Sequence, residues 1–399
     1  MSSSSFVDRL GTASVHFYGT MQLPDANTPE DARLAARLVV EALVPEATMR
    51  AVISKQRELI ERGKPLSVGE ICLRKQWVTR SEMLLLLSPE KPFSELLPRL
   101  RLKGLVGQGG MSRVYEADGP AGPVAVKILH PRLARIPTEV DSFRKEAELL
   151  TSLRHENIVR GFGLFEHDGL VFFLMELVQG QSIQQQLDAG RRFHEDEALS
   201  IILQVARALS HLHAMGLVHR DVKPANMLID SVSTVKLCDL GLAISAGTGA
   251  GESTAGTAQY IAPEQATAET GLDVRSDIYA LGVSLYQLIL GKLPFEGETN
   301  QETIARRLLD ELRSKDLKSI GISPLVHYFI QKMMAMEREV RYQDPEELIE
   351  DVESQIQGSR SMAAPGDRRG APGTASPSGV HPNLQRPITV GVGLRRRRR

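Results

Sequence analysis

Asp221, Lys223 and Asn226 lie on one short run, His-Arg-Asp-Val-Lys-Pro-Ala-Asn-Met-Leu, from His219 to Leu228. An aspartate can accept a proton from a hydroxyl, and a lysine can offset the negative charge of a phosphoryl group in transit. A carboxamide oxygen can hold a metal ion. Together these groups suit phosphoryl transfer. Such a site also needs groups that hold phosphate and a second metal ligand, so the flanking sequence decides the reading.

Upstream, Leu102 to Val114 sets a glycine cluster among strand-forming residues. Gly107, Gly109 and Gly110 permit positive φ and let backbone N–H groups approach phosphate oxygens. A glycine run is also the mark of a plain turn. Val124-Ala125-Val126-Lys127 follows, and this context favours phosphate contact by Lys127 over a solvated charge. Phe143 to Leu150 reads as a helix with Phe143, Ala147 and Leu150 on one face. Glu146 lies beside that face and is the candidate partner of Lys127, with Glu148 as its rival. Downstream, Val235 to Leu237 reads as a strand that ends in Cys238-Asp239-Leu240-Gly241. An acid after a strand is often a turn former, but Asp239 follows Asn226 by only a hairpin and is a candidate second metal ligand. Cys238 reads as a small buried residue, with reactivity toward electrophiles as the alternative.

The order of these motifs resembles that of protein kinases: glycine loop, Lys127, His219-Arg220-Asp221, Asp239-Leu240-Gly241, Ala262-Pro263-Glu264 and Asp277. Lys223, two residues after Asp221, resembles the bacterial-type serine/threonine branch. The resemblance covers residues from about 99 to 357. It implies an α+β, two-lobed fold with ATP between a small β-rich lobe and a larger helical lobe, and Mg2+ or Mn2+ as the metal. It implies a phosphate-covering loop of Val106, Gly107, Gln108, Gly109, Gly110, Met111, Ser112, Arg113 and Val114, with Ser112 where the family has its third glycine. Lys127 would hold the α- and β-phosphates, oriented by Glu146. Met175 would sit behind the adenine, and the backbone of Glu176 and Val178 would bond its edge. Ala125 and Leu228 complete the ATP-binding set.

The same resemblance assigns roles beyond ATP. Asp221 would orient the acceptor hydroxyl and take its proton, and Lys223 would contact the γ-phosphoryl. Asn226 and Asp239 would hold the metal, with Leu240 in place of the family's phenylalanine. Asp277 would support the catalytic loop, and Arg341 would pair with Glu264. Thr257 occupies the position that serine/threonine kinases use beside the catalytic aspartate. Thr248, Ser253, Thr254 and Thr257 are candidate phosphorylation sites, with Arg220 as a cation for the phosphate to neutralise; they also fit ordinary loop hydroxyls.

Several elements must position these groups. Leu170 to Leu174 reads as a buried strand. Glu195 to Met215 reads as a long amphipathic helix stopped by Gly216. Arg275 to Leu290 reads as a strongly apolar helix closed by Gly291. Helices are also expected at Thr299 to Leu312, Ser323 to Met336 and Pro345 to Ile356. Ile244 to Gly256 has almost nothing to bury and reads as a mobile loop.

The chain has 399 residues, of which 42% are hydrophobic, with a net charge of −1. That balance gives no sign of nucleic acid as a global partner. Two distant cysteines, Cys72 and Cys238, argue against a disulfide framework and for a reducing compartment. With no signal-like start and no membrane-length apolar run, the expected location is the cytoplasm. Residues 1–28 are expected to be disordered. Residues 29–98 are expected to form a small helical domain, with Thr79 or Ser81 capping its last helix. The run LSVGEICLRKQWVTRSEML resembles a helical module found before secretion ATPases and some bacterial kinases, and implies a regulatory partner or ligand there. Residues 99–357 form the expected kinase domain, bounded by the proline-rich Ser88 to Pro98. Residues 358–399 are expected to be a disordered tail, whose Arg395 to Arg399 could bind an anionic partner.

Overall fold

The computed structural model describes residues 23–87, 100–241, 244–245, 258–267, 271–295, 299, 302 and 321–363. The boundary at Ser88 to Pro98, the hydroxyls of Thr248, Ser253, Thr254 and Thr257, most of the expected helix from Thr299 to Leu312, and Arg395 to Arg399 lie outside the described residues.

Thr28 starts the first helix by accepting the N–H of Asp31 at 3.2 Å, and Pro29 takes the first turn, where a missing N–H is harmless. This helix, α1 (Pro29–Val40), packs with α2 (Glu46–Glu61), α3 (Val68–Arg74) and α4 (Arg80–Leu87). The bundle buries Leu34, Leu38, Met49, Val52, Ile71 and Cys72. Asp31 is buried with them, and its carboxylate accepts from the N–H of Val68 at 2.9 Å and from Gln56 Nε2 at 2.6 Å. A buried carboxylate satisfied in this way ties three helices together. Thr79, not Ser81, caps α4: its hydroxyl accepts the N–H of Glu82 while Glu82 accepts the N–H of Thr79. The helix then runs apolar on every side. Met83 and Leu86 enter the bundle core, and Leu84 and Leu85 enter the core of the neighbouring sheet.

That sheet has five strands, β1 (Arg101–Gln108), β2 (Ser112–Gly119), β3 (Gly122–Leu129), β4 (Gly161–His167) and β5 (Leu170–Glu176). All neighbours are antiparallel, in the order β1-β2-β3-β5-β4. Side chains of successive strand residues face opposite ways. Val124, Val126 and Ile128 therefore join Leu84 and Leu85 on the outer face, while Leu129 and Phe173 join the inner core. Helix α5 (Pro137–Ser152) packs Phe143, Ala147 and Leu150 into that inner core.

The larger lobe follows as β6 (Gly180–Ser182), α6 (Ile183–Asp188), α7 (Glu195–Ala214), β7 (Leu217–Val218), a 3-10 turn (Pro224–Asn226), β8 (Met227–Asp230), β9 (Val235–Leu237) and β10 (Ile244–Ser245). Then come α8 (Pro263–Ala266), α9 (Val274–Leu290), α10 (Pro324–Met333) and α11 (Pro345–Ala363). Apolar faces of α7 and α9 meet in one core with Phe329, Ile330 and Tyr342. Gly216 and Gly291 take positive φ at the ends of α7 and α9, where a left-handed residue ends a helix. Three boundaries differ from the sequence expectation. Ile244 and Ser245 are not loop but pair with Val218 and Leu217, a long-range ladder without a local signal. Helix α10 ends at Met333. Helix α11 continues past Gly358 to Ala363, through the helix formers Arg360, Met362 and Ala363. Among the described residues no helix is long and apolar enough to cross a membrane.

Leu85 is 2% exposed in the core beneath the sheet. Replacing it by alanine leaves a cavity there, and Leu85→Ala is expected to lower stability by about 3 kcal/mol, read as a shift of the chemical-denaturation midpoint at unchanged slope.

Candidate active site

Strand alternation turns Lys127 to the inner side of β3, opposite Val114 and Phe173 on the flanking strands. Its Nζ meets Glu146 Oε1 at 2.6 Å and Asp239 Oδ1 at 2.9 Å. Glu146 reaches it because it shares the buried face of α5 with Phe143 and Ala147; Glu148 is on the exposed face. Burial opposes the lysine's charge, but the two carboxylates outweigh it and hold the ammonium above the ordinary lysine range. Burial pushes the Glu146 carboxyl up against the pull of Lys127. Asp239 loses some stabilisation to burial as well, but Lys127 outweighs this and keeps it below the usual aspartate range.

The second cluster is built on the loop after β7. Arg220 adopts φ +68° and Asp239 φ +66°, left-handed values that a non-glycine residue holds only against strain. Asp277, buried at the start of α9, holds the first of them: its carboxylate accepts the N–H of His219 at 2.7 Å and of Arg220 at 2.8 Å. Burial keeps His219 neutral, and its Nδ1 accepts the N–H of Asp221 at 3.2 Å. Asp221 then meets Lys223 Nζ at 2.6 Å. Asn226 Nδ2 donates to the carbonyl of Asp221 at 2.8 Å and to its Oδ2 at 3.0 Å. The carbonyl of Asn226 in turn accepts the N–H of Cys238 at 2.9 Å, which fixes the start of the Asp239 segment. Burial pushes the Cys238 thiol up to about 12, so it stays protonated and unreactive toward electrophiles.

At the glycine turn the N–H of Gly109 donates to the carbonyl of Ser112 at 2.9 Å. Gly107 and Gln108 end β1, opposite Val114 and Arg113, and Gly110 lies in the turn that follows. The His130 ring is 3.0 Å from the carbonyl of Gly109, and Arg132 donates to that of Gly110 at 3.1 Å. Val106 and Met111 are exposed at the tip. Arg113 shares the outer face of β2 with Tyr115, so its buried side chain runs toward Glu41, just past the end of α1, 3.8 Å away.

Residues 100–351 match the family model for the protein kinase domain. This chain belongs to the protein kinase family. It is 34% identical over 268 residues to the serine/threonine-protein kinase PrkC of Bacillus subtilis, covering 66% of this chain and 41% of that one. It is 42% identical over 212 residues to a probable serine/threonine-protein kinase PknB of Corynebacterium glutamicum, covering 50% and 33%. Against the PknB of Mycobacterium leprae the identity is 33% over 267 residues, covering 64% and 43%. The chain thus spans less than half the length of these relatives. Its fold is the mixed α/β kinase fold, with helices α1 to α4 placed before it.

Between the kinase lobes, Ala125 lies opposite Met175 on the paired strands. The N–H of Glu176 is taken by the carbonyl of Arg160 at 2.8 Å. Val178 accepts from Gly180 at 3.0 Å in the turn that follows. Leu228 is half-buried on β8, opposite Ser182 and Lys236. Farther down, Glu264 accepts both Arg341 Nη atoms, at 2.8 and 2.9 Å, and the Ser276 hydroxyl at 2.8 Å. Sequence reasoning missed Lys236, whose Nζ pairs with Glu176 at 3.0 Å, and Arg132 behind the glycine turn. Neither stands in a motif, and their partners are remote in sequence.

The donor set fits a hard cation. Asp239 offers a carboxylate, and the two Nδ2 bonds of Asn226 fix its amide so that the oxygen is the atom a cation would meet. Mg2+ takes few protein ligands and fills its shell with water and phosphate oxygens, which suits a pair of this kind.

Arg341 is fully buried, so Arg341→Ala leaves the buried Glu264 carboxylate without its cation, with the Ser276 hydroxyl still bonded to it. The expected loss is about 3–5 kcal/mol, measured by denaturant titration. Asp277 supplies a pH signature, because burial, against the two N–H bonds, pushes its carboxyl up to about 7. Between about pH 4 and that value the folded chain holds a proton that the unfolded chain has released. This contribution to stability is therefore full below about pH 4 and is lost as pH rises toward 7. Asp277→Asn is expected to remove that part of the slope of stability against pH.

Proposed function

We propose that this chain is a protein kinase that transfers the γ-phosphoryl of ATP to serine or threonine hydroxyls of proteins, itself among them. The observation that carries this reading is the linked set at Asp221, where a cation and a carboxamide hold the carboxylate and a neutral imidazole holds the backbone N–H of the same residue. Asp221 orients the acceptor hydroxyl and takes its proton. Lys223, in contact with that carboxylate, offsets the charge of the phosphoryl group. Lys127 holds the α- and β-phosphates, and Glu146 keeps its ammonium in the cleft. The glycine turn Gly107 to Gly110 covers the phosphates with backbone N–H groups, which need no reorganisation when charge moves. Asp239 and Asn226 hold Mg2+, or Mn2+ in its place, and the metal when bound neutralises phosphate oxygens. Ala125, Met175 and Leu228 receive the adenine, and the backbone of Glu176 and Val178 reads its edge.

Other parts of the reading rest on the same chain. Thr248, Ser253, Thr254 and Thr257 are the hydroxyls proposed for phosphorylation, with Arg220 as the cation that the phosphate would neutralise. Residues 29–98 are proposed to take a regulatory partner or ligand, and Arg395 to Arg399 an anionic one. Two free cysteines, one buried and one half-buried, support a reducing, cytoplasmic setting.

The test is the intact mass of the purified chain during incubation with ATP and Mg2+. The wild type is expected to gain phosphate in steps. Asp221→Asn is expected to slow the gain at least about 100-fold, the scale of a lost general base. A chain that binds ATP yet modifies neither itself nor a generic basic protein would overturn the proposal.

A further inference from the structure

Helix α5 carries Glu146, and its first turn is held by residues of the helical bundle. Arg135 precedes α5 by two positions. Its Nη1 donates to the carbonyl of Leu43 at 2.7 Å. Its Nη2 donates to the carbonyl of Trp77 at 3.0 Å and to the Glu82 carboxylate at 3.0 and 3.2 Å. Leu43 lies between α1 and α2, Trp77 between α3 and α4, and Glu82 on α4. One planar guanidinium therefore binds two of the three turns of the bundle and its last helix. Glu82 is buried, so its charge favours keeping that cation in place.

The start of α5 depends on this anchor. Ile136 occupies the N-cap position and has no side-chain acceptor for the first N–H groups. Its carbonyl takes the N–H of Glu139 and Val140. The bundle grips the small lobe at a second place as well. The Thr79 hydroxyl donates to the carbonyl of Asp168, and the N–H of Ser81 donates to the Asp168 carboxylate, each at 2.8 Å, in the turn between β4 and β5. The lever arm decides how much this matters. Glu146 is nine residues past Pro137, about 14 Å along a helix, so a tilt of about 10° at the start displaces it by about 2 Å. A displacement of that size breaks a 2.6 Å ion pair.

We infer that Arg135 is a positioning residue: through it the bundle of α1 to α4 sets α5, and with it the contact of Glu146 with Lys127. The inference rests on the kinase reading for its consequence and on the geometry alone for the coupling. The bundle is then a control surface for the site, and anything that loosens its turns at Leu43 or Trp77 releases Glu146.

The test uses the full chain and two readouts. By hydrogen exchange, Arg135→Ala is expected to speed the amides of α5 about tenfold while those of α7 keep their rates. In phosphorylation of a generic basic protein, Arg135→Ala is expected to lower kcat/KM for ATP about tenfold. The double variant with Glu146→Gln is expected to be no worse than Glu146→Gln alone, because both act on one contact. Additive losses, or unchanged exchange in α5, would overturn the inference. Should Arg135→Ala unfold the bundle, Asp168→Asn loosens the second grip instead and is expected to speed α5 exchange in the same direction; no change would again count against the coupling. Exchange is read without turnover, so an inactive wild type would remove the kinase reading and leave the coupling to be judged by α5.

Discussion

One ammonium between two carboxylates joins the parts of this molecule. Lys127 comes from β3, Glu146 from α5 and Asp239 from the segment after β9. Lys127 and Glu146 are largely buried, where a charge left alone is strongly unfavourable, and the more exposed Asp239 adds a second carboxylate to the ammonium, so the three segments meet at a common point. The small lobe is bound to its helix, and both are bound to the larger lobe, by groups that would otherwise repel burial. Two of these side chains, Lys127 and Asp239, are the ones proposed to engage phosphate and a metal, and the third, Glu146, orients the first. The structural tie and the chemical site are therefore one object.

The larger lobe offers a rigid counterpart. Its loop contains a strained backbone at Arg220, and the surrounding structure overdetermines it. Asp277 takes two N–H groups, His219 takes a third, and Asn226 links the loop to the segment of Asp239. Strain of this kind persists only where many bonds agree. The buried Glu264 and Arg341 pair secures the region beneath. Little in this floor can move without leaving a polar group unsatisfied, whereas α5 rests largely on apolar contacts, and its pairing of Glu146 with Lys127 is one that a small tilt can break.

The helical bundle fits the same logic. Helix α4 belongs to two cores at once, Met83 and Leu86 to the bundle and Leu84 and Leu85 to the sheet. Apolar packing without direction would permit the bundle to slide. The directional bonds of Arg135 and Asp168 fix its register against the approach to α5 and the turn between β4 and β5, and the longer ion pair of Arg113 with Glu41 adds a contact to β2.

Much of this was legible in the chain itself, where neighbours in space are also neighbours in sequence. The spacing of Asp221, Lys223 and Asn226 is local, and the hairpin that brings Asp239 to them is short. The helical period of α5 separates Glu146 from Glu148, and glycines mark the ends of α7 and α9. Other features were decided by tertiary structure alone. Alternation along β2 sends the Arg113 side chain to the outer face that it shares with the buried Tyr115. The pairing of Ile244 with Val218, and of Lys236 with Glu176, joins strands with no shared motif. The acceptors of Arg135 include the carbonyls of Leu43 and Trp77. Every residue has a carbonyl, so its use as a partner leaves no mark on residue type, and only the folded chain shows which ones meet the guanidinium.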